Sequence, residues 1–576
     1  MTGFRIEEVR FTADQLSVWA PLQPQFRNWP VVYTLDGDGK IYVGESLNVA
    51  GRFRQHLDSA DKRTLRSARV VVDETFNKSV CLDLESYLIR LFAGDGKFHV
   101  LNGNHGITDA DYYGRLEYRR TFEEIFEELR RRGAFTRPIK EIENTDLFKL
   151  SPFKALTQDQ AIAVDDILSG LFEDLEARQQ SRIVIQGAPG TGKTVVGIFL
   201  MKLLMDIKSA DVTAPPDSDS LLSEFFVAGY PELLENFHAA LVVPQISLRK
   251  SIKNVFRKTP GLSPKQVLGP FEVGNSKERF SLLIVDEAHR LNQRAAQAAG
   301  PLNRKFTEIN ARLFGQDDVT LTQLDWIEAV SDHQIYLLDK DQAVRPADLS
   351  ETTAVALVSD VRSRGRLYPL SSQMRVKAGD DYVGYVRDVL AGTADVPRPF
   401  EGYDLRFFDD VAQMQQTILD REAEHGLARL LAGFAWRWTG KHDPDARDVT
   451  VDGLALQWNT TDVDWVNSPT SIHEVGSIHT IQGYDLNYAG VIIGRDLRFD
   501  PSSGRIIFDR RHYHDPRGAT NNRMLGITYS DDDILRFVRN IYAVLLTRGM
   551  RGTYVYVCDP ALREHLRPWF SAISAD

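Results

Sequence analysis

Eight consecutive residues, GAPGTGKT from Gly187 to Thr194, have the types and spacing to hold a triphosphate. They satisfy the pattern G-x-x-x-x-G-K-[ST] at every fixed position. Gly187, Gly190 and Gly192 free the backbone to curl its N–H groups around phosphate oxygens, and the helix that follows adds the positive end of its dipole. Lys193 is placed for the β- and γ-phosphates and Thr194 for Mg2+. About 90 residues further on, LLIVDEAHR (282–290) ends an apolar run in two acids. Asp286 suits the water shell of the metal, and Glu287 suits polarising the attacking water. Loop and acids together are far more specific than either alone, and their separation is consistent with one nucleotide-binding sheet.

A second set of chemical groups lies near the start. In VVYTLDGDGKIYVGESLNVAGRFRQH (31–56), two β-rich segments flank DGDG (36–39), a strong hairpin signal. Tyr33 and Tyr42 fall on the two strands, and Arg52 and His56 share one face of the following helix. Phosphodiester hydrolysis needs an activated water, a stabilised phosphorane-like charge and an escort for the leaving group. Arg52 suits the phosphate. Tyr33, with Tyr42 or His56, suits orienting or deprotonating the water, and the residues leave open which is the base. Taken alone, the tyrosine pair and the Arg/His face fit plain packing as well.

The rest of the chain must position these groups. From Leu156 onward short apolar runs alternate with helical patterns, with strands expected at 183–185, 240–243, 281–285, 334–338, 475–479, 490–493 and 553–557. Such alternation predicts α/β units around buried parallel sheets. The strands fall into an earlier and a later group, which predicts two sheets with a cleft between them. A helix expected over 121–132 leads into residues 133–154, a Pro-, Gly- and Lys-containing stretch that reads as a linker. The expected division is therefore 1–132, the linker, a first lobe over 155–348 and a second over 349–576. SADVTAPPDSDS (209–220) reads as a surface loop, and 500–522 as a projecting hairpin between core strands.

Composition narrows the class. The chain has 576 residues, 43% hydrophobic and 26% charged, as in soluble globular proteins of three or four domains. No apolar run approaches the roughly 18 residues that span a bilayer. The first residues lack the apolar core of a secretory signal, so no membrane partner and a cytoplasmic location are expected. Cys81 and Cys558, each flanked by apolar residues, read as free thiols rather than a disulfide or metal site. A net charge of -11 excludes a surface that is basic all over, but not nucleic acid, which responds to local charge. Arg52, Arg54, Lys62, Arg63, Arg66 and Arg69 form one basic cluster. Arg130, Arg131 and Arg132 follow acidic residues and read as a solvated helix face. Oligomeric state has no signature in the sequence.

Several segments in order resemble the motifs of superfamily 1 helicases. LTQDQ (156–160) looks like the adenine-reading element, with Gln160 as reader. VVPQISLRKSI (242–252) looks like the segment after the second strand. LLDKDQAVRP (337–346) resembles the motif with a γ-phosphate-sensing glutamine, here Gln342. LSSQMRV (370–376) and VLLTRGMRGTYVYV (544–557) place Arg375 and Arg548 at the family's two arginines. SIHTIQGYDLNYAGVIIG (477–494), which contains Gly483, resembles the motif linking nucleotide to nucleic acid. The resemblance implies that Arg375 and Arg548 stabilise charge on the leaving γ-phosphate from the facing lobe. HTIQGYDLNYAG, QMRV and AGFAWRW (432–438) are closest to a bacterial family whose ATPase resembles the helicase part of Schlafen proteins. The gaps between motifs are short, which favours translocation or an ATP-gated switch over strand separation. Trp436, Trp438 and Trp458 read as core residues rather than base-stacking platforms.

The N-terminal set resembles the GIY-YIG nuclease family over roughly residues 29–105. VVY stands for the first tripeptide and YVG for the second, and Gly44, Ser46, Asn48, Arg52 and His56 match in order. The resemblance implies a metal-binding glutamate, Glu85, in the E-x-x-L-I pattern of LDLESYLIRLF (82–92), and a late asparagine, Asn102. Mg2+ or Mn2+ suits such an oxygen site. Asp83 is a second candidate ligand outside that pattern.

The expected fold is α/β throughout: a small GIY-YIG domain followed by two RecA-like parallel-sheet lobes. The expected protein is an ATP-dependent, metal-dependent endonuclease acting on nucleic acid, DNA favoured and RNA possible. By analogy with such fusions, phage defence is the expected role, with repair, tRNA cleavage or an ATP-switched binding module as alternatives.

Overall fold

Five strands form the N-terminal sheet: β1 (Phe4–Arg10), β2 (Val31–Gly37), β3 (Lys40–Ser46), β4 (Ser67–Asp73) and β5 (His99–Val100). Their order is β1-β4-β2-β3-β5, antiparallel except for the β3–β5 pair. Between β2 and β3 only Asp38 and Gly39 remain, both at positive φ (51° and 71°), as the twist of a two-residue hairpin requires. Side chains alternate across the sheet. Val32, Ile41, Val43 and Val71 pack with the helix Lys78–Asp95. Val31, Tyr33, Leu35 and Val70 pack with the helices Ala13–Trp19 and Val49–Asp58.

In this computed structural model the described residues are 3–59, 62–103, 112–210, 212, 222–295, 300–339, 344–374, 376, 381–440, 443, 445–461, 464–481 and 483–571. The chain forms two units. One comprises Met1–Asp165, Ile198–Asn236 and Ile252–Gln266, and the other Asp166–Gly197, Phe237–Ser251 and Val267–Asp576. Residues 133–154 are more than a connector. They hold the helices Ile139–Asn144 and Asp146–Lys149, and Ile142 and Phe153 are buried in the same core as the helix Lys78–Asp95. The Pro and Gly of this stretch mark turns, while its spaced apolar residues anchor it. In the same unit Lys258 donates to the Gly96 carbonyl at 3.3 Å.

The second unit holds two larger sheets. The first contains β6 (Ser181–Gly187), β7 (Ala239–Val242), β8 (Val267–Leu268), β9 (Phe280–Val285), β10 (Ser331–Leu338) and β11 (Leu367–Leu370), ordered β11-β6-β10-β9-β7-β8 and all parallel. Ile183–Ile185 and Leu282–Val285 are wholly buried, as a parallel sheet covered on both faces demands. The edge strand β11 lies past residue 348. The helix Glu351–Ser363 returns the chain to pair with β6, so this sheet extends beyond the expected lobe boundary.

The other sheet contains β12 (Asp404–Phe407), β13 (Ala428–Ala432), β14 (Val449–Val451), β15 (Leu454–Trp458), β16 (Glu474–Gly476), β17 (Leu486–Ile493) and, after a two-stranded hairpin of β18 (Leu497–Asp500) and β19 (Arg505–Phe508), β20 (Gly549–Val557). Its order is β12-β20-β17-β13-β16-β15-β14, parallel apart from the β14–β15 pair. The strand expected at 475–479 stops early, because Ser477 accepts from Ile481 and Thr480 as the chain turns into the helix Ile478–Ile481. Trp458 is buried in the core, and Trp436 and Trp438 pack against it partly buried. No helix among the described residues is long and apolar enough to cross a membrane, and Cys81 and Cys558 are free thiols.

Candidate functional site

β6 delivers the chain to Gly187 and the helix Lys193–Lys208 takes it away, with the phosphate loop between. Gly190 and Gly192 sit at φ +87° and +80°, the left-handed region open to glycine. A Cβ on Gly187 would stand 2.4 Å from Thr191 Oγ1, so the cradle exists only because that atom is missing. The Lys193 ammonium donates to the carbonyls of Gly187 (2.7 Å) and Ala188 (2.9 Å). The Thr194 hydroxyl donates to the Asp286 carboxylate at 3.0 and 3.2 Å.

Asp286 follows the last residue of β9 and is buried. Burial, and then the neighbouring Glu287 charge, push its carboxyl above the usual carboxylate range. Glu287 occupies φ +47°, a strained conformation for a non-glycine residue. That turn brings its carboxylate to 3.1 Å from His289 Nε2. Burial opposes the Glu287 charge, but His289, Lys193 and Arg548 hold the group below the usual carboxylate range. Arg548, between the helix Asp531–Leu546 and β20, is 2% exposed and donates to the Tyr484 carbonyl at 3.2 Å. Its charge thus reaches an acid on the other sheet.

From the segment after β11, Gln373 Nε2 donates to the Pro189 carbonyl (2.8 Å) and Met374 N to that of Gly190 (2.9 Å). This clamp on the loop, like His289, was not among the sequence-derived site residues, since nothing in its spacing points to the loop. Arg375 and Gln342 lie outside the described residues. Gly483, at φ +85°, is where a Cβ would press on Leu248 at 3.1 Å. Gln160, in the other unit, is buried and accepts from Thr157 N at 3.1 Å. A hydroxyl and a carboxylate brought together at Thr194 and Asp286 are hard oxygen donors of the kind Mg2+ takes.

The second constellation gathers on one face of the N-terminal sheet. Tyr33 lies opposite Gly44 in the β2–β3 register, and Leu35 opposite Tyr42. A Cβ on Gly44 would stand 2.4 Å from the Tyr33 hydroxyl, so the glycine lets the ring lie across the neighbouring strand. Ser46 Oγ accepts from Asn48 N (3.0 Å), and Asn48 Oδ1 accepts from Gly51 N (2.9 Å), capping the helix Val49–Asp58. Ser46 and Asn48 therefore shape the hairpin-to-helix junction. From this helix His56 reaches the Tyr33 hydroxyl with Nε2 at 2.8 Å, and the Arg52 charge acts on the same hydroxyl. Phe53 packs edge-on against the Tyr33 ring with centroids 5.1 Å apart.

Electrostatics separate these groups. Burial, then the Tyr42 hydroxyl and the Glu85 charge, raise Tyr33 well above the ordinary phenol range, against the pull of Arg52. Burial, then Lys62 and Arg52, push His56 down to about 3. Lys62 Nζ stands 2.8 Å from His56 Nδ1 and 3.6 Å above the Tyr42 ring. Its place in this cluster was not read from the sequence, where it counted only as part of a basic run.

Glu85 projects from the helix Lys78–Asp95, and its charge is felt by Tyr33 and by Cys81. Glu45 raises the same thiol, pairs with Lys78 at 2.6 Å, and holds a buried Oε2 with no hydrogen-bond partner among the described residues. The orphaned Glu45 oxygen is a hard donor of the kind a divalent cation takes. Among the described residues no three His, Cys, Asp or Glu converge. Asp83 instead accepts from Tyr112 (3.0 Å) and Arg115 (3.2 Å). Asn102 pairs its amide with both backbone groups of Val43, at 3.0 and 2.7 Å, and so braces β3.

Residues 180–559 match the Schlafen group 3, DNA/RNA helicase domain, and residues 32–97 match the GIY-YIG catalytic domain. Uncharacterized protein YPL245W of Saccharomyces cerevisiae is 27% identical over 418 residues, 68% of this chain and 84% of that protein. The crystal structure of Arterivirus nonstructural protein 10 (helicase) aligns at a TM-score of 0.27 and 13% identity, over 67% of this chain and 61% of that one. The complex of that helicase with DNA aligns at 0.28 and 13%, over 67% and 62%. The chain thus spans less than two thirds of the length of these helicases. With a GIY-YIG catalytic domain ahead of its two parallel sheets, the chain belongs to the Schlafen group 3 DNA/RNA helicase-domain family.

Proposed function

We propose that this protein is an ATP-dependent nuclease, in which the GIY-YIG domain cuts phosphodiesters and the helicase-like lobes hydrolyse ATP to control the cut. The observation that carries the reading is the 2.8 Å contact of His56 Nε2 with the Tyr33 hydroxyl, where the Arg52 and Glu85 charges are both felt. In this role Tyr33 orients the attacking water and Arg52 neutralises the scissile phosphate. Glu85, helped by Glu45, would hold Mg2+ or Mn2+, which supplies Lewis-acid stabilisation of the phosphate charge.

The ATPase assignment draws support from Lys193, Thr194, Asp286 and Glu287 standing together, with the Arg548 charge reaching Glu287. Gln160, Gln342, Arg375 and Gly483 complete the proposed nucleotide set. DNA is the favoured substrate, and destruction of foreign DNA such as phage DNA, in the cytoplasm, is the role that best suits a gated cutter. A constantly active endonuclease endangers its host, which favours restraint by ATP.

Cleavage of matched DNA and RNA, with Mg2+ or Mn2+ and with or without ATP, tests this reading. Wild type should cut, Glu85→Ala and Arg52→Ala should not, and Lys193→Ala should lose ATP hydrolysis and change the cutting. Cleavage surviving both nuclease substitutions would sink the site. Unchanged cleavage in Lys193→Ala would sink the control.

A further inference from the structure

We propose that Lys62 is a positioning residue of the cleavage site, which locks His56 as a hydrogen-bond donor to Tyr33. The inference rests on the nuclease reading above. Lys62 Nζ stands 2.8 Å from His56 Nδ1, and His56 Nε2 stands 2.8 Å from the Tyr33 hydroxyl. An ammonium has donors and no acceptor, so Nδ1 must offer its lone pair. A neutral imidazole with Nδ1 as acceptor carries its proton on Nε2. That N–H then donates to the Tyr33 oxygen.

Tyr33 therefore accepts from His56, its own proton is turned away from the imidazole, and the Arg52 charge acts on the same oxygen. Lys62 is in turn seated 3.6 Å over the Tyr42 ring, a cation–π contact. The second tyrosine thus holds the lysine, the lysine orders the imidazole, and the imidazole aims the first tyrosine. In this frame His56 has no free lone pair and is excluded as the general base. The water-orienting group is Tyr33.

The experiment uses the full chain labelled with 15N-histidine, with the His56 signals assigned by their loss in His56→Gln. Wild type should show Nε2 protonated and Nδ1 bare. Lys62→Met should move the proton toward Nδ1 and lower cleavage turnover by on the order of 100-fold, as wrong-tautomer histidines do or more severely, with KM within about twofold. Lys62→Arg, which keeps a donor-only cation, should retain the wild-type tautomer and recover most of the turnover. A His56 tautomer unmoved in Lys62→Met overturns the inference, as does lost cleavage with an unmoved tautomer, which marks a structural role. If wild type cuts no substrate, the nuclease reading fails, and the tautomer shift alone then upholds or overturns the Lys62 frame.

Discussion

Thr194 Oγ1 stands 3.0 Å from Asp286 Oδ2, so the last residue of the phosphate loop faces the acid at the end of β9. Two oxygen ligands at about 2.1 Å from an octahedral cation, side by side, stand about 3 Å apart. The pair therefore has the spacing to share one Mg2+. Asp286→Asn and Thr194→Ala should each lower ATP hydrolysis by on the order of 100-fold or more. Binding of a fluorescent nucleotide in EDTA should be little changed. Equal loss of binding with and without Mg2+ would contradict the shared-metal assignment.

The Arg548 charge holds Glu287 down across the two sheets, and in the proposed ATPase it would act on the departing phosphate. Arg548→Ala should reduce hydrolysis by about a thousandfold while nucleotide affinity changes only a few-fold. Because Arg548 is 2% exposed, Arg548→Lys serves as the control that keeps a cation and most of the packing. Lys should restore the melting temperature but only part of the rate, since it lacks the planar fork. Rates that track the melting temperature alone would contradict the role.

Gly44→Ala tests the geometry of the hairpin. Its Cβ would lie 2.4 Å from the Tyr33 hydroxyl, which must shift away from His56. The expected outcome is a destabilisation of about 1–3 kcal/mol, as for other overpacked sites, with cleavage lost. ATP hydrolysis in the same variant should be retained, which a two-assay comparison reads directly.

Asp496 gives the pH prediction. It is wholly buried, accepts from the Tyr542 hydroxyl at 2.7 Å with Oδ1, and its Oδ2 has no partner among the described residues. Burial pushes its carboxyl up to about 7. In the unfolded chain an aspartate releases its proton near pH 4. Between those values the folded state holds a proton that the unfolded state has lost, so this group makes stability fall as pH rises through the window. The fall is at most about 4 kcal/mol for a shift of three units. Asp496→Asn should be more stable relative to wild type at pH 8 than at pH 4.5, in calorimetric melts. The pH-independent cost of the new amide N–H cancels in that difference. A gap that does not widen with pH would refute the buried neutral carboxyl.

Legibility in the sequence followed the distance over which each feature is made. The phosphate loop, the DGDG turn and the Arg52/His56 face are local patterns, and the structure has them where the spacing implied. The strands β6, β7, β9, β10, β17 and β20 were visible as apolar runs bounded by turn signals. β11 through β15 were not, because runs such as LYPL, DLRF and VTV are short and interrupted by proline or polar residues, so periodicity cannot tell them from loop or helix edges. The linker reading of 133–154 followed its Pro and Gly and overlooked Ile142 and Phe153, whose burial depends on a helix 50 residues away.

By itself the sequence determined what each site is made of: glycines that bend, a lysine and threonine beside them, acids after a strand, and tyrosines on a hairpin ahead of an Arg/His helix. Those are properties of neighbouring residues and of periods of two and 3.6. Only the tertiary structure decided which distant groups meet: Thr194 with Asp286, Arg548 with the field of Glu287, Met374 with Gly190, and Lys62 with His56. Strand order and loop path set those meetings. They are chosen by burial summed over the whole core, and no interval between residue numbers encodes them.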